Sequence, residues 1–216
     1  VPTLISDTRE DILLDYVKPY YWSDSILTRY ANESIIEACK RVNLIERDFS
    51  ISVLSGTSEY ALDAAINRIL YAKLDASNDP LDQTTDTDLT LNVGKSWRIS
   101  TGTPTHYLVN KRAITLYKQP IANDTLRITA SIIPDGSFVM DDDIDSLFYE
   151  GLKYGIAARA FRRRNSDEDI RAEDSGKSLN YFALFDQVFG PAKSAKWLSV
   201  SKSTPDNMPM LGGRMC

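Results

Sequence analysis

One histidine and two cysteines are all that this 216-residue chain holds of two residue types that often ligate metals or act in covalent catalysis. A hydrolytic triad needs a base beside a nucleophile, and His106 stands alone in a Thr-His-Tyr context that reads as an ordinary strand position. No cysteine and histidine spacing of a metal site is present, and no glycine-rich phosphate loop; Gly212-Gly213 has no strand before it and no helix after it. Cys39 lies in a helical pattern and Cys216 at the last position, which is no disulfide framework and fits synthesis in a reducing cytoplasm. No run approaches the roughly 18 consecutive apolar residues of a membrane span. Val1 to Asp11 lack the basic stretch and apolar core of a secretory signal, so no membrane partner is expected. Positive charge is also short: 25 Lys and Arg against 30 Asp and Glu leave a net charge of -5. A chain that grips nucleic acid by its phosphates would carry a basic face. A mildly acidic one suits a wall past which a polyanion slides.

What is present is ordinary globular composition, with 43% hydrophobic and 25% charged residues, enough to bury a core without staples. The opening region reads as two short-linked amphipathic helices. Leu4, Ile5, Ile12, Leu13 and Tyr16 share one face, with Thr3 as the expected N-cap after Pro2. Pro19 interrupts, and Ser23-Asp24 start a second stripe through Ile26, Leu27, Tyr30, Ala31, Ile35, Ala38, Cys39 and Val42.

From about Phe49 the period changes to that of strands. Ile51 and Val53 precede a Ser55-Gly56 turn, and Ile66 to Leu74 reads as a strand, although Ala64 to Leu70 equally suits the start of a helix. Leu74 to Thr90 is polar, with Asn78-Asp79-Pro80, and reads as a surface loop. In Leu126 to Ile132, apolar and polar residues alternate strictly; Ala113 to Lys118 is its expected antiparallel partner. Shorter strands are expected at Trp97 to Ile99 and His106 to Val109. The third region returns to helix. Asp141, Asp142, Asp143 and Asp145 lead into a stripe from Ile144 to Ala158, in which Gly151 and Gly155, one turn apart, permit close helix approach. Arg162 to Arg164 close this helix and Ser166 starts the next, which Gly190-Pro191 stops.

Three clusters invite a functional reading. Asp141 to Asp143 resemble a cation or nuclease site, yet carboxylates at a helix start stabilise its positive end by roughly 0.3–1 kcal/mol each, and no distant acidic motif completes a ligand set. Arg162 to Arg164 suit phosphates, but also offset the negative end of a helix. Tyr20, Tyr21 and Trp22 read as core anchors rather than a ligand platform. After Trp197 the chain has no period and cannot bury a face of its own, so another chain is expected to hold it.

The order helix pair, β module, helix pair, tail resembles the tailed-bacteriophage head-to-tail adaptor (connector) family. The wording that carries this is Ile12-Leu13-Leu14-Asp15, then Tyr21-Trp22-Ser23-Asp24 opening the second helix, and the return helix from Asp143 to Phe161. The resemblance spans Leu4 to Gly190. It implies a structural, non-enzymatic virion protein at the portal-tail junction, present in the host cytoplasm during assembly. It further implies a ring, commonly of twelve copies, docked under the portal protein, touching tail tube or nozzle proteins below. Genome DNA would pass through without sequence-specific binding, and no cofactor is implied. The C-terminal segment would run onto the portal through Trp197, Met208, Pro209, Met210, Leu211 and Met215, where methionines suit a groove.

The expected fold is α+β: a four-helix core with an inserted small antiparallel β module and an extended C-terminal arm. Its expected parts are an N-terminal helix pair (1–48), the β module (49–140), a second helix pair completing the core (141–196) and the arm (197–216). The rival readings are a tail-tube or tail-completion protein, a metal-dependent hydrolase or nuclease on the acidic cluster, and a glycan- or receptor-binding module on the middle strands.

Overall fold

A computed structural model of the chain describes residues 2–15, 17–135, 144–164 and 172–191. Helix α1 (Pro2–Thr8) begins at its proline, so Thr3 lies inside it rather than capping it, and it runs into a π-helical turn at Arg9–Leu13. Leu4, Ile5 and Leu13 are buried and Ile12 packs beside them, as the stripe requires; Tyr16 lies outside the described residues. Helix α2 (Asp24–Arg41) buries Leu27, Tyr30, Ala31, Ile35, Ala38 and Cys39. Ser23 takes the extended N-cap conformation, but its Oγ lies 3.0 Å from Ser25 Oγ and makes no capping bond.

The middle of the chain holds strands β1 (Glu46–Val53), β2 (Glu59–Ala61), β3 (Ile66–Leu74), β4 (Asp82–Gln83), β5 (His106–Asn110), β6 (Ala113–Tyr117) and β7 (Asp124–Ile132). Helix α3 (Asp86–Asn92) and a 3-10 turn at Lys95–Ile99 lie between β4 and β5. A three-stranded antiparallel sheet has the order β1-β7-β3, and a four-stranded sheet the order β2-β6-β5-β4 with β4 parallel to β5. Helices α4 (Ser146–Arg164) and α5 (Ala172–Phe189) follow, and Gly190, at a φ of 75° that glycine adopts without strain, ends α5 where the stop signal stood.

The α+β content stands, but the four-helix core with a small inserted β module does not. Among the described residues there are five α-helices and seven strands in two sheets. The strands bury their own cluster, in which Val53, Ile69, Leu74, Ile114, Leu116, Leu126 and Ile128 meet, and a smaller one lies under α3. Nor is the helical cluster closed by helices alone. Leu44, Ile45 and Ile132 are buried in it, and Phe49, Ala65 and Ile133 pack against it. The reason is geometric: α1 has seven residues, too short to cover α2 and α4, so the ends of β1 and β7 complete the enclosure.

Strand pairing also differs. β7 pairs with β1 from Glu46↔Ser131 to Val53↔Asp124 and with β3 on its other side, whereas β6 pairs with β5 and β2. Gln119, held by backbone bonds with Ser100 and Gly102, keeps the end of β6 in the four-stranded sheet, so the chain crosses between sheets before β7. The expected polar loop, Leu74 to Thr90, contains β4 and the start of α3, because Thr85 Oγ1 accepts the Asp88 backbone N–H at 3.1 Å and Leu89 is buried. Trp97 to Ile99 belongs to the 3-10 turn instead of a strand.

Candidate assembly surfaces

The described part of the connection between α1 and α2 is tied together around Arg9 and Asp15. Arg9, buried at 7% exposure, donates from Nη2 to the Trp22 carbonyl at 2.9 Å and to Asp24 Oδ1 at 2.8 Å, and its guanidinium lies 3.9 Å from the Tyr20 ring centroid. The Asp15 carboxylate accepts the backbone N–H groups of Tyr21 and Trp22. Trp22 is buried against Phe161, and these ties leave Leu14, Val17 and Tyr21 exposed, Leu14 with φ 51° in the left-handed region. Of the three aromatics expected as anchors, Trp22 is one and Tyr21 is not.

Two further apolar exposures lie on the strand side. Leu91, Val93 and Ile99 are exposed on α3 and the segment through the 3-10 turn, here the α3 lobe, whose Trp97 is buried. Leu54 and Ile121 project from neighbouring turns joined by the bond from Gly56 N–H to the Pro120 carbonyl and by Ser55 N–H donating to Asn123 Oδ1. Separate apolar exposures of this kind mark interaction sites when they form contiguous patches.

A cleft of about 510 Å³ opens where α2, α4 and α5 meet, lined by Arg29, Tyr30, Glu33, Glu37, Arg41, Arg159, Arg162, Arg163, Phe182 and Phe185. Its geometry starts from two glycines. A Cβ on Gly151 would lie 2.7 Å from Val188 and Phe189, and one on Gly155 2.8 Å from Phe185 and Ser34 Oγ, so α5 and α2 approach α4 as closely as its backbone permits. Arg159 then reaches Ser34 Oγ and the Gly155 carbonyl, each at 3.0 Å, with Glu33 at 3.4 Å. Burial pulls Arg159 below the ordinary arginine value, and Glu33 and Glu37 oppose that pull. Arg41 bonds to Glu37, Asp186 and the Gly190 carbonyl, with its guanidinium 4.9 Å from the Phe185 centroid. Arg162 and Arg163 are exposed at the rim.

The residues singled out by sequence fall as follows. His106 is half-buried at the start of β5, its Nδ1 2.8 Å from Thr105 Oγ1 and its ring edge-on to Tyr117, an ordinary strand environment. Arg162 to Arg164 close α4 as expected. Asp145 Oδ1 accepts the Leu147 N–H at 2.9 Å, a helix-start contact, while Asp141 to Asp143 lie outside the described residues. So do Trp197, Met208, Pro209, Met210, Leu211 and Met215. Among the described residues no group of three or more His, Cys, Asp or Glu side chains is placed to hold a metal ion, and no helix is long and apolar enough to cross a membrane. Sequence reasoning missed the cleft, whose signal was the i,i+4 row Arg29, Glu33, Glu37, Arg41 on α2. It also missed the hub at Arg9, for which no local pattern exists because its partners lie 13 and 15 residues away.

No curated protein matches the chain. The family model described as SU10 adaptor protein matches residues 2–206, nearly the whole length. The chain therefore belongs to the SU10 adaptor protein family, structural adaptors of the bacteriophage virion.

Proposed function

We propose that this adaptor acts at the head-to-tail junction, docking as a ring of copies on the portal protein, receiving tail tube or nozzle proteins below and forming part of the DNA channel. The observation that carries the reading is the adaptor-family match over residues 2–206. Two features support it. Exposed apolar side chains stand on the α1–α2 connection, the α3 lobe and the paired turns at Leu54 and Ile121, as a subunit with several neighbours requires. A net charge of -5 gives DNA little to adhere to, in keeping with passage rather than sequence-specific binding. The parts proposed for this task are the helix pair at 1–48, the β region at 49–140, the helix pair at 141–196 and the arm at 197–216.

In this reading the arm contacts the portal through Trp197, Met208, Pro209, Met210, Leu211 and Met215. Ordering such a segment costs backbone entropy of about 1–2 kcal/mol per residue, so many weak contacts repeated around a ring must offset it. The test is to mix purified protein with portal particles and image them. The full chain should add a ring at the portal, and a chain ending at Ser199 should leave the portal bare. Unchanged attachment of the truncated chain would remove the arm from the docking contact. Binding to tail components but not to portal would make the protein a tail-completion factor instead.

A further inference from the structure

We propose that the arginine cleft between α2, α4 and α5 of one copy receives the acidic α3 lobe of the next copy, and that this contact joins neighbours laterally. This rests on the ring reading above. The cleft is a positive feature in an acidic chain: five arginines line it against two glutamates. Its inner arginines are spent on Glu33, Glu37 and Asp186, whereas Arg162 at the rim is exposed and has no partner among the described residues.

The lobe is its complement in charge. Between Lys73 and Lys95 the chain has five aspartates and no basic residue. Asp75 and Asp86 are paired with Arg127 and Arg98, and Asp88 accepts a bond from Thr85. Asp79 and Asp82 remain, both exposed and without a basic partner among the described residues. Further along the same part of the chain, on α3 and the 3-10 turn, Leu91 is 77% and Ile99 76% exposed, apolar surface that the half-buried Phe182 of the cleft can cover. Within one chain the two surfaces belong to different clusters, since Leu89, Trp97 and Leu108 pack under α3 apart from the core beneath α2, α4 and α5. A contact between two different patches is heterologous, the kind that closes into a ring when its rotation permits.

DNA is the poorer occupant. Glu33 and Glu37 stand between Arg29 and Arg41 along α2, so a row of phosphates would meet two carboxylates, and the backbone of DNA offers nothing apolar to Phe182.

The experiment is a charge swap, read as the number of rings counted by electron microscopy and mass photometry, with the chain alone and with portal particles present. Arg162→Glu should lower the ring count about tenfold or more, as should the double variant Asp79→Arg with Asp82→Arg, because like charges then face each other. Combining both sets in one chain should restore rings. Circular dichroism on each variant checks folding, and the lobe variant tests the contact separately should Arg162→Glu fail that check. If rings form equally in every variant, or the combined chain does not recover, this contact is wrong while the ring reading stands. If the unaltered chain forms no ring in either condition, the ring reading falls and the contact with it. Intact rings together with lost affinity for duplex DNA in Arg162→Glu would make the cleft a phosphate site and overturn the proposal.

Discussion

Gly155 and Gly176 are both helical glycines, yet their surroundings give them opposite roles. At Gly155 an added Cβ meets Phe185 and Ser34 Oγ at 2.8 Å; at Gly176 nothing lies within 4 Å. Alanine gains roughly 1 kcal/mol of helix propensity over glycine at an interior position. Gly176→Ala should therefore raise stability by about 0.5–1 kcal/mol in urea unfolding. Gly155→Ala should lower it by about 1–3 kcal/mol, because overpacking a close helix crossing outweighs the propensity gain. Equal effects of the two substitutions would mean that α4 and the helices beside it relax apart freely. The pair of glycines one turn apart was legible in the sequence as a close-approach signal. Which helices approach was not, since Phe185 and Ser34 lie 30 and more than 100 positions away along the chain.

At the scale of elements, α3 shows how a polar segment becomes ordered. Thr85 satisfies the Asp88 N–H, and Leu89 reaches Trp97 and Leu108. Removing the cap with Thr85→Ala should cost about 1 kcal/mol, seen first as faster amide hydrogen exchange across Asp86–Asn92 while β7 stays protected. Exchange rising equally in β7 would mean that the lobe and the sheets open as one unit. Thr85 followed three residues later by Asp88 was a readable cap, hidden by the surrounding aspartates and threonines, which equally suit a loop. β7 was readable too, from its alternation, whereas β3 was one of two readings, because its apolar spacing equally suits a helix. Their partners were not: alternation states which face of a strand is buried but not which strand lies beside it, and β7 took β1 and β3 rather than the sequence-adjacent β6.

Over the whole molecule, the ends of β1 and β7 close the cluster beneath the helices, so Cys39 is shut in from several sides at 0% exposure. Burial pushes its thiol up to about 12, which keeps it protonated at neutral pH. In a Cys216→Ser chain, Cys39 should stay unlabelled by thiol reagents at pH 7 until urea unfolds the protein, and labelling should track the loss of helical circular dichroism. Labelling well before that transition would show that α2 opens ahead of the rest of the core.

The helix stripes, the alternating strand at Leu126 to Ile132, the punctuation at Pro19 and Gly190, and the adaptor-family wording around Trp22-Ser23-Asp24 were all present in the chain as a string. Each is a local pattern within a turn or two of helix or a few residues of strand. The division into two sheets, the strand ends that seal the helical cluster, the Arg9 hub and the arginine cleft arise from residues far apart in sequence. Folding brings them together because α1 is too short to cover the apolar faces of α2 and α4, and those faces must be buried by whatever the tertiary packing supplies.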